Sequence, residues 1–240
     1  MNPIVIIPTY NEKENISQML EKVMSLNPKF DVLVVDDNSP DGTGRLVKEK
    51  QSIYDRINLL ENGEKNGLGT AYIAGFKWCL QRGYDYIFEM DCDFSHNPDD
   101  LVRLYAEVQK NNVDMVVGSR YIGNVVNVVN WPMSRVLLSY FASAYVRFFT
   151  GMNLADSTAG FVGYTKELLS IIDLDKIKFR GYAFQIEMKY TSFRLGYKIS
   201  EIPIIFTDRT AGESKMSGGI IREALFGVIR LRFKKIKPKK

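Results

Sequence analysis

The chain has 240 residues but only one histidine and two cysteines. His96 alone excludes a multi-histidine metal centre. Cys79 and Cys92 cannot build a disulfide framework, so a reducing compartment is expected. No run of about 18 apolar residues occurs, and no transmembrane helix is predicted. Residues 1–10, MNPIVIIPTY, carry no basic leader and break at Pro8, so no secretory signal is expected. Internal repeats and low-complexity linkers are missing too. What remains, 45% hydrophobic and 25% charged, is the composition of a globular chain with material for a sizeable core. Its length suits one large domain, or one domain with a small appendage.

Charge is unevenly spread. The net charge is +4, from 32 basic and 28 acidic residues. Seven of the basic residues and no acid lie in RLRFKKIKPKK at 230–240, so the rest holds 25 basic against 28 acidic, a net of −3. A mildly acidic body thus carries a basic end, which suits an anionic membrane or simple solvation. No motif supports nucleic acid as its partner.

The first half alternates between strand and helix patterns. Apolar runs at 4–8, 31–37, 57–61, 86–91 and 114–119 read as strands, and DVLVVDD (31–37) has a continuously apolar centre, VLVV, as a strand covered on both faces would. Helical patterns separate them at 11–26, 43–53, 69–82 and 98–110. This spacing predicts a parallel α/β sheet with right-handed crossovers, whose ligands sit beyond the carboxyl ends of the strands. The second half predicts a long aromatic helix at 131–149, a turn and strand at 157–165, a helix at 183–195, a strand at 198–206, a polar loop at 207–219 and a last helix.

Acids recur at the predicted binding edge. Glu12 follows the first strand, Asp36, Asp37 and Asp41 the second, and Asp91 and Asp93 the fourth. Turn and cap chemistry explains any one of them. Three acid-rich exits together suit a divalent cation that bridges carboxylates to a phosphate. No Walker A motif is present; Gly67 and Gly69 suit either backbone approach to a ligand or a tight helix entry. Basic residues answer the acids: Arg120 after a strand, Arg209 and Lys215 in the polar loop. Arg135, Ser139, Ser143 and Arg147 recur every four positions and form one polar stripe on the greasy helix. Arginine is well suited to bidentate phosphate contacts.

The blocks IIPTYNE, VVDDNSPDGT, MDCDFSHNP, GSRY, NWPMSR, STAGF, GYAFQIEM and DRTAGESKM occur in this order. Together they resemble the family 2 glycosyltransferases, and within them the dolichol-phosphate (polyprenol-phosphate) mannose synthases. The early blocks are shared widely in that family; NWPMSR, GYAFQIEM and DRTAGESKM are more specific to the polyprenyl-phosphate branch. The resemblance covers nearly the whole chain. It implies a GT-A fold, a Rossmann-like and mostly parallel sheet flanked by helices. It also implies inverting transfer of mannose from GDP-mannose to a polyprenyl monophosphate, with Mg2+ or Mn2+.

By the same resemblance, Pro8, Tyr10, Glu12, Val35 and Asp37 line the guanosine site. Asp91, Cys92 and Asp93 meet ribose, metal and diphosphate. Arg120, Arg209 and Lys215 surround the diphosphate and sugar, and Arg135 and Ser139 receive the acceptor phosphate. Two positions depart from the pattern. Cys92 replaces a smaller residue, and Ser95 stands where some relatives carry a glutamine metal ligand. Glu187 is expected to be structural. The rival readings are a UDP-glucose donor, a non-lipid acceptor, and a non-catalytic binding subunit.

The resemblance and the basic end together imply a catalytic domain over 1–217 and an amphipathic basic helix over 218–240, with Leu225, Phe226, Ile229 and Phe233 on its apolar side. This helix is expected to hold the enzyme peripherally on the cytoplasmic face of a membrane. A core helix with a solvated tail is the plainer reading. A small membrane subunit is a further partner suggested by some relatives.

Overall fold

The computed structural model describes residues 1–63, 67–110, 112–179, 181, 183–208 and 227–238. Its centre is a seven-stranded sheet. The apolar runs become β1 (Pro3–Thr9), β2 (Asp31–Asp36), β3 (Ile57–Glu61), β4 (Tyr86–Glu89) and β5 (Met115–Ser119). A two-residue β6 (Val128–Val129) follows, then β7 (Val162–Thr165), β8 (Ile199–Pro203) and β9 (Phe206–Thr207). The sheet order is β3-β2-β1-β4-β7-β5-β8, and β6 pairs with β9 in a separate ladder. All pairings are parallel except those of β7, which runs antiparallel to both β4 and β5. The sheet is therefore mostly parallel, with one inverted strand near its middle. The predicted strand at 198–206 breaks at Ile204–Ile205 into β8 and β9.

Helices α1 (Ile16–Met24) and α4 (Asp100–Val108) cover one face of the sheet. Their buried residues, among them Met19, Leu20, Leu101 and Leu104, pack on Val5, Val32, Val34 and Phe88. Helix α1 starts at Ile16, five residues later than its periodicity suggests, because Asn11 adopts a left-handed φ of 59° and Asn15 provides the cap position. Helix α2 (Thr43–Gln51) lies beside β3, while α3 (Leu68–Arg82), α6 (Lys166–Ile171) and α7 (Ala183–Arg194) cover the opposite face. Tyr72, Phe76 and Phe184 stack there against Ile4, Ile6 and Tyr164. The long helix α5 (Met133–Thr150) and the helical residues 227–233 build a third cluster, in which Val228 and Leu231 are buried against Val146, Ile186 and Tyr190. The described part of the basic end is thus seated on the body. Arg232 donates to the Phe149 carbonyl and Lys234 to Glu187 and the Lys176 carbonyl. Leu225 and Phe226 lie outside the described residues. No helix among the described residues is long and apolar enough to cross a membrane.

Helix α7 breaks the usual rule for helices at a surface. Ten consecutive residues, Ala183–Ser192, are buried, polar ones included. Its polar groups must then find partners inside the protein. Gln185 donates to the Glu89 carboxylate, Tyr164 donates to the other oxygen of Glu89, and Lys189 donates to the Ala159 carbonyl at 2.6 Å. Glu187 accepts from the backbone N–H of Lys178 and Phe179 and so holds the turn before α7. Burial pushes the Glu89 carboxyl up to about 7 and the Lys189 ammonium down to about 8, while each charge favours the other.

Two predictions follow from this core. Gly163 on β7 leaves no room for a side chain: an added Cβ would sit 2.4 Å from Phe88 Cε1 and 2.9 Å from Val116 Cγ1. Gly163→Ala is expected to lower stability by about 1–3 kcal/mol through overpacking, read as a shift of the urea midpoint at unchanged slope. For Lys189, the unfolded chain holds the proton between about pH 8 and 10.5 and the folded chain releases it. Unfolding then takes up a proton, so the lysine's contribution to stability rises with pH in that window. The stability gap between the wild type and Lys189→Met should therefore widen from pH 8 to pH 10 in urea titrations; a constant gap contradicts the assignment.

Candidate active site

The sheet order changes direction between β1 and β4. From β1 the chain moves outward to β2 and β3, and then returns to place β4 on the other side of β1. Crevices at such switch points open at the carboxyl ends of the strands. The exits of β1, β2 and β4 each turn through a non-glycine residue at positive φ: Asn11 (59°), Asn38 (58°) and Phe94 (59°). Asparagine tolerates this region well; a phenylalanine there is a strained choice, and it sits inside the Asp91–Ser95 turn.

Each acid at this edge has its own surroundings. Asp36 is buried and accepts from Thr9 Oγ1 (2.7 Å), Ser39 Oγ (2.6 Å) and the Ser39 N–H (2.9 Å), which ties the β1 and β2 exits together. Asp41 accepts from the Thr43 N–H and hydroxyl and from the Lys13 N–H; these bonds outweigh partial burial and keep its carboxyl below the usual range. Asp37 is buried and accepts from Asn62. Pro8 pairs with Val35 across β1 and β2, but the Val35 side chain lies in the core, so only its backbone faces the edge. Tyr10 and Glu12 are half-buried, and Glu12 accepts from Asn15 while its N–H donates to Thr43.

The Asp91–Ser95 turn is set by its own hydrogen bonds. Asp93 Oδ1 accepts from the Ser95 N–H at 3.1 Å, and the Asp91 N–H donates to His96 Nδ1 at 3.2 Å. His96 is buried, stacks on Phe161 at 4.9 Å, and burial lowers its pKa to about 4, so it is a neutral acceptor here. The Cys92 thiol is also buried, and burial together with Glu12, Asp93 and Asp91 pushes its pKa up, so it is an inert spacer. Asp91 is half-exposed and Asp93 buried, so the two carboxylates of the turn lie at different depths. Ser95 Oγ is buried with no hydrogen-bond partner among the described residues. These hard oxygen donors fit Mg2+ or Mn2+. Among the described residues no group of three or more His, Cys, Asp or Glu converges. A cation here would complete its shell with diphosphate and water oxygens, as Mg2+ commonly does.

The basic residues divide. Arg120 makes a bidentate pair with the fully buried Asp156, Nε to Oδ2 at 2.6 Å and Nη2 to Oδ1 at 2.7 Å, and also donates to Thr158. Arg147 donates to the carbonyls of Leu154 and Ala155, so it braces the loop that carries Asp156. Sequence reading missed Asp156, which lies 36 residues from Arg120 with no local pattern to mark the pair. Arg135 lies over the Trp131 ring at 4.0 Å and donates to Asp208 at 2.9 Å. Ser139 stands beside Tyr121. The stripe Arg135–Ser139–Ser143–Arg147 faces inward, with Ser143 fully buried. The apolar side of α5 faces out, with Met133 69%, Phe141 61% and Phe148 83% exposed. Arg209 and Lys215 lie outside the described residues.

Comparison with known proteins bears on the family and the fold. The family model "Glycosyl transferase family 2" matches residues 4–172. An undecaprenyl-phosphate mannosyltransferase of Micrococcus luteus is 47% identical over 230 residues, 96% of this chain and 93% of that protein. A polyprenol monophosphomannose synthase of Mycolicibacterium smegmatis is 46% identical over 227 residues, 94% and 84%. Among solved structures, glucosyl-3-phosphoglycerate synthase of Mycobacterium tuberculosis with Mn2+, UDP-glucose and phosphoglyceric acid superposes with a TM-score of 0.69 at 16% identity, over 96% of this chain and 79% of that one. Another structure of the same enzyme superposes at 0.64. These superpositions support the fold; the sequence matches establish the kinship. The chain belongs to glycosyl transferase family 2.

Proposed function

We propose that this protein transfers mannose from GDP-mannose to a polyprenyl monophosphate, with inversion and with a divalent metal. The two relatives at 46–47% identity carry names that join mannose to a polyprenyl phosphate. The observation that carries the reading is the link, through β9 and Asp208, between the acidic Asp91–Ser95 turn and Arg135, which stands at the start of a helix whose outer face is apolar. A nucleotide sugar suits the first, and a lipid phosphate suits the second.

Asp91 and Asp93 would hold the metal, which when bound stabilises negative charge on the departing diphosphate. Ser95 remains a candidate third ligand. Pro8, Tyr10, Glu12, Asp37 and the Val35 backbone would receive the guanosine. Arg135 and Ser139 would receive the acceptor phosphate. A phosphate monoester has a second pKa of about 6, so it is mostly a dianion at pH 7 and needs no general base. Its oxygen forms the new bond to the anomeric carbon as the bond from that carbon to the GDP oxygen breaks. Holding two anions close requires fixed positive charge. Arg135 supplies part of it, and Arg209 and Lys215 are assigned the rest. Arg120 spends Nε and Nη2 on Asp156, so we assign it the shaping of the Asp156–Thr158 loop.

The exposed Met133, Leu137, Phe141 and Phe148 on the outer side of the helix that carries Arg135 suit a surface that meets the bilayer holding the acceptor. Arg230, Arg232 and Phe233 are exposed on the helical residues packed against α5, and their charge suits a peripheral contact with an anionic surface.

A radiolabel transfer assay tests the reading. GDP-mannose with a polyprenyl phosphate and Mg2+ or Mn2+ should give product; chelation should stop it. Preference for UDP-glucose, or equal use of the free polyprenol, would overturn it. Asp93→Ala should cut turnover at least about a hundredfold at saturating donor, whereas Arg135→Ala should chiefly raise the acceptor KM.

A further inference from the structure

Three consecutive residues connect the two halves of the candidate site. The Thr207 N–H donates to the Ser95 carbonyl at 3.2 Å, and Phe206 forms a bridge with His96. On the other side the Phe206 N–H donates to the Asn127 carbonyl at 2.9 Å and the Asp208 N–H to the Val129 carbonyl at 3.1 Å. The Phe206 ring packs between His96 (5.4 Å) and Trp131 (5.2 Å), both edge-on. Asp208 Oδ1 then accepts from Arg135 Nη1, and the Arg135 guanidinium carbon sits 4.0 Å over the centre of the Trp131 ring. The backbone of the Asp91–Ser95 turn is thus linked, through β9, to the guanidinium 73 positions before Asp208.

We propose that Asp208 is a positioning residue: it orients Arg135 for the acceptor phosphate and fixes that phosphate's distance from the Asp91–Asp93 turn. The inference rests on the reading of Arg135 as the acceptor-phosphate residue. The contact is monodentate. It engages one of the five N–H donors of a planar guanidinium, whose carbon also rests over the Trp131 ring. A carboxylate used this way sets an arginine's direction without consuming its fork. Asp208 is itself held by its backbone, so the orientation is inherited from the β6–β9 ladder and the Ser95 turn. Arg135 and Asp208 are about a third exposed, 28% and 34%, so solvent screens the pair and its worth lies in geometry more than in Coulomb energy.

The test uses the full chain, GDP-mannose, and farnesyl phosphate as a short acceptor. Asp208→Asn keeps the shape and removes the charge. It should raise the acceptor KM about tenfold, the low end for loss of an outer-shell partner, with donor KM and urea midpoint near those of the wild type. Asp208→Glu keeps a carboxylate within reach and should restore most of the acceptor affinity; it also serves as the second variant if Asn folds poorly. An unchanged or lowered acceptor KM in Asp208→Asn overturns the proposal, the lowered value marking Asp208 as a competitor for Arg135. Equal loss in Asn and Glu variants with a fallen urea midpoint overturns it too, as a purely structural effect. Arg135→Ala separates the two levels. If it leaves the acceptor KM unchanged, the functional reading falls as well; if it raises that KM while Asp208→Asn does not, only the positioning role fails.

Discussion

Like charge gathered at one edge of a sheet is the constraint on which the rest depends. Parallel strands bring their carboxyl ends together, and this chain places acids on three of them. Carboxylates so close repel, and burial makes each costlier. The fold resolves this acid by acid. Asp36 and Asp41 are answered by hydroxyl and backbone donors, which turns repulsion into the geometry of two loops. Asp156 is answered by Arg120. Asp91 and Asp93 share a single tight turn at the switch point, where a divalent cation and a nucleotide diphosphate suit them.

The same logic extends beneath the site. Glu89 ends β4 two residues before Asp91 and is fully buried. It persists there because α7 supplies Gln185 and Lys189 from inside the protein and β7 supplies Tyr164. Removing one partner of such a set leaves a buried group unanswered, which costs more than the pair contributes. The acidic edge, α7 and the loop that carries Asp156 are therefore one electrostatic unit: Lys189 reaches the Ala159 carbonyl three residues after Asp156.

Much of this was legible in the sequence. The five strands of the first half are apolar runs at regular spacing, and acids just past such runs fall at the binding edge by topology alone. The stripe on α5 was visible at four-residue spacing, but the direction it faces was not: periodicity gives a face, and only packing says which way it points. Other features leave no local trace. The β6 and β9 strands are two residues each, too short for any period. The inversion of β7 depends on how the chain returns from α5. The burial of α7 leaves no mark in its sequence, because Gln185 and Lys189 meet Glu89 and the Ala159 carbonyl, partners distant in sequence. The Arg120–Asp156 and Arg135–Asp208 pairs span 36 and 73 positions. Such contacts are products of tertiary structure, and composition cannot announce them.

The central claim is that the Asp91–Asp93 turn is a cation site rather than a capped loop. Manganese binding in the presence of GDP, followed by electron paramagnetic resonance of the free ion, tests it directly. Asparagine at position 93 can keep the hydrogen bond from the Ser95 N–H and so preserve the turn. The account predicts that Asp93→Asn, folded and with an unchanged urea midpoint, loses most of the Mn2+ uptake that the wild type shows with GDP. Equal uptake by the two proteins would contradict it.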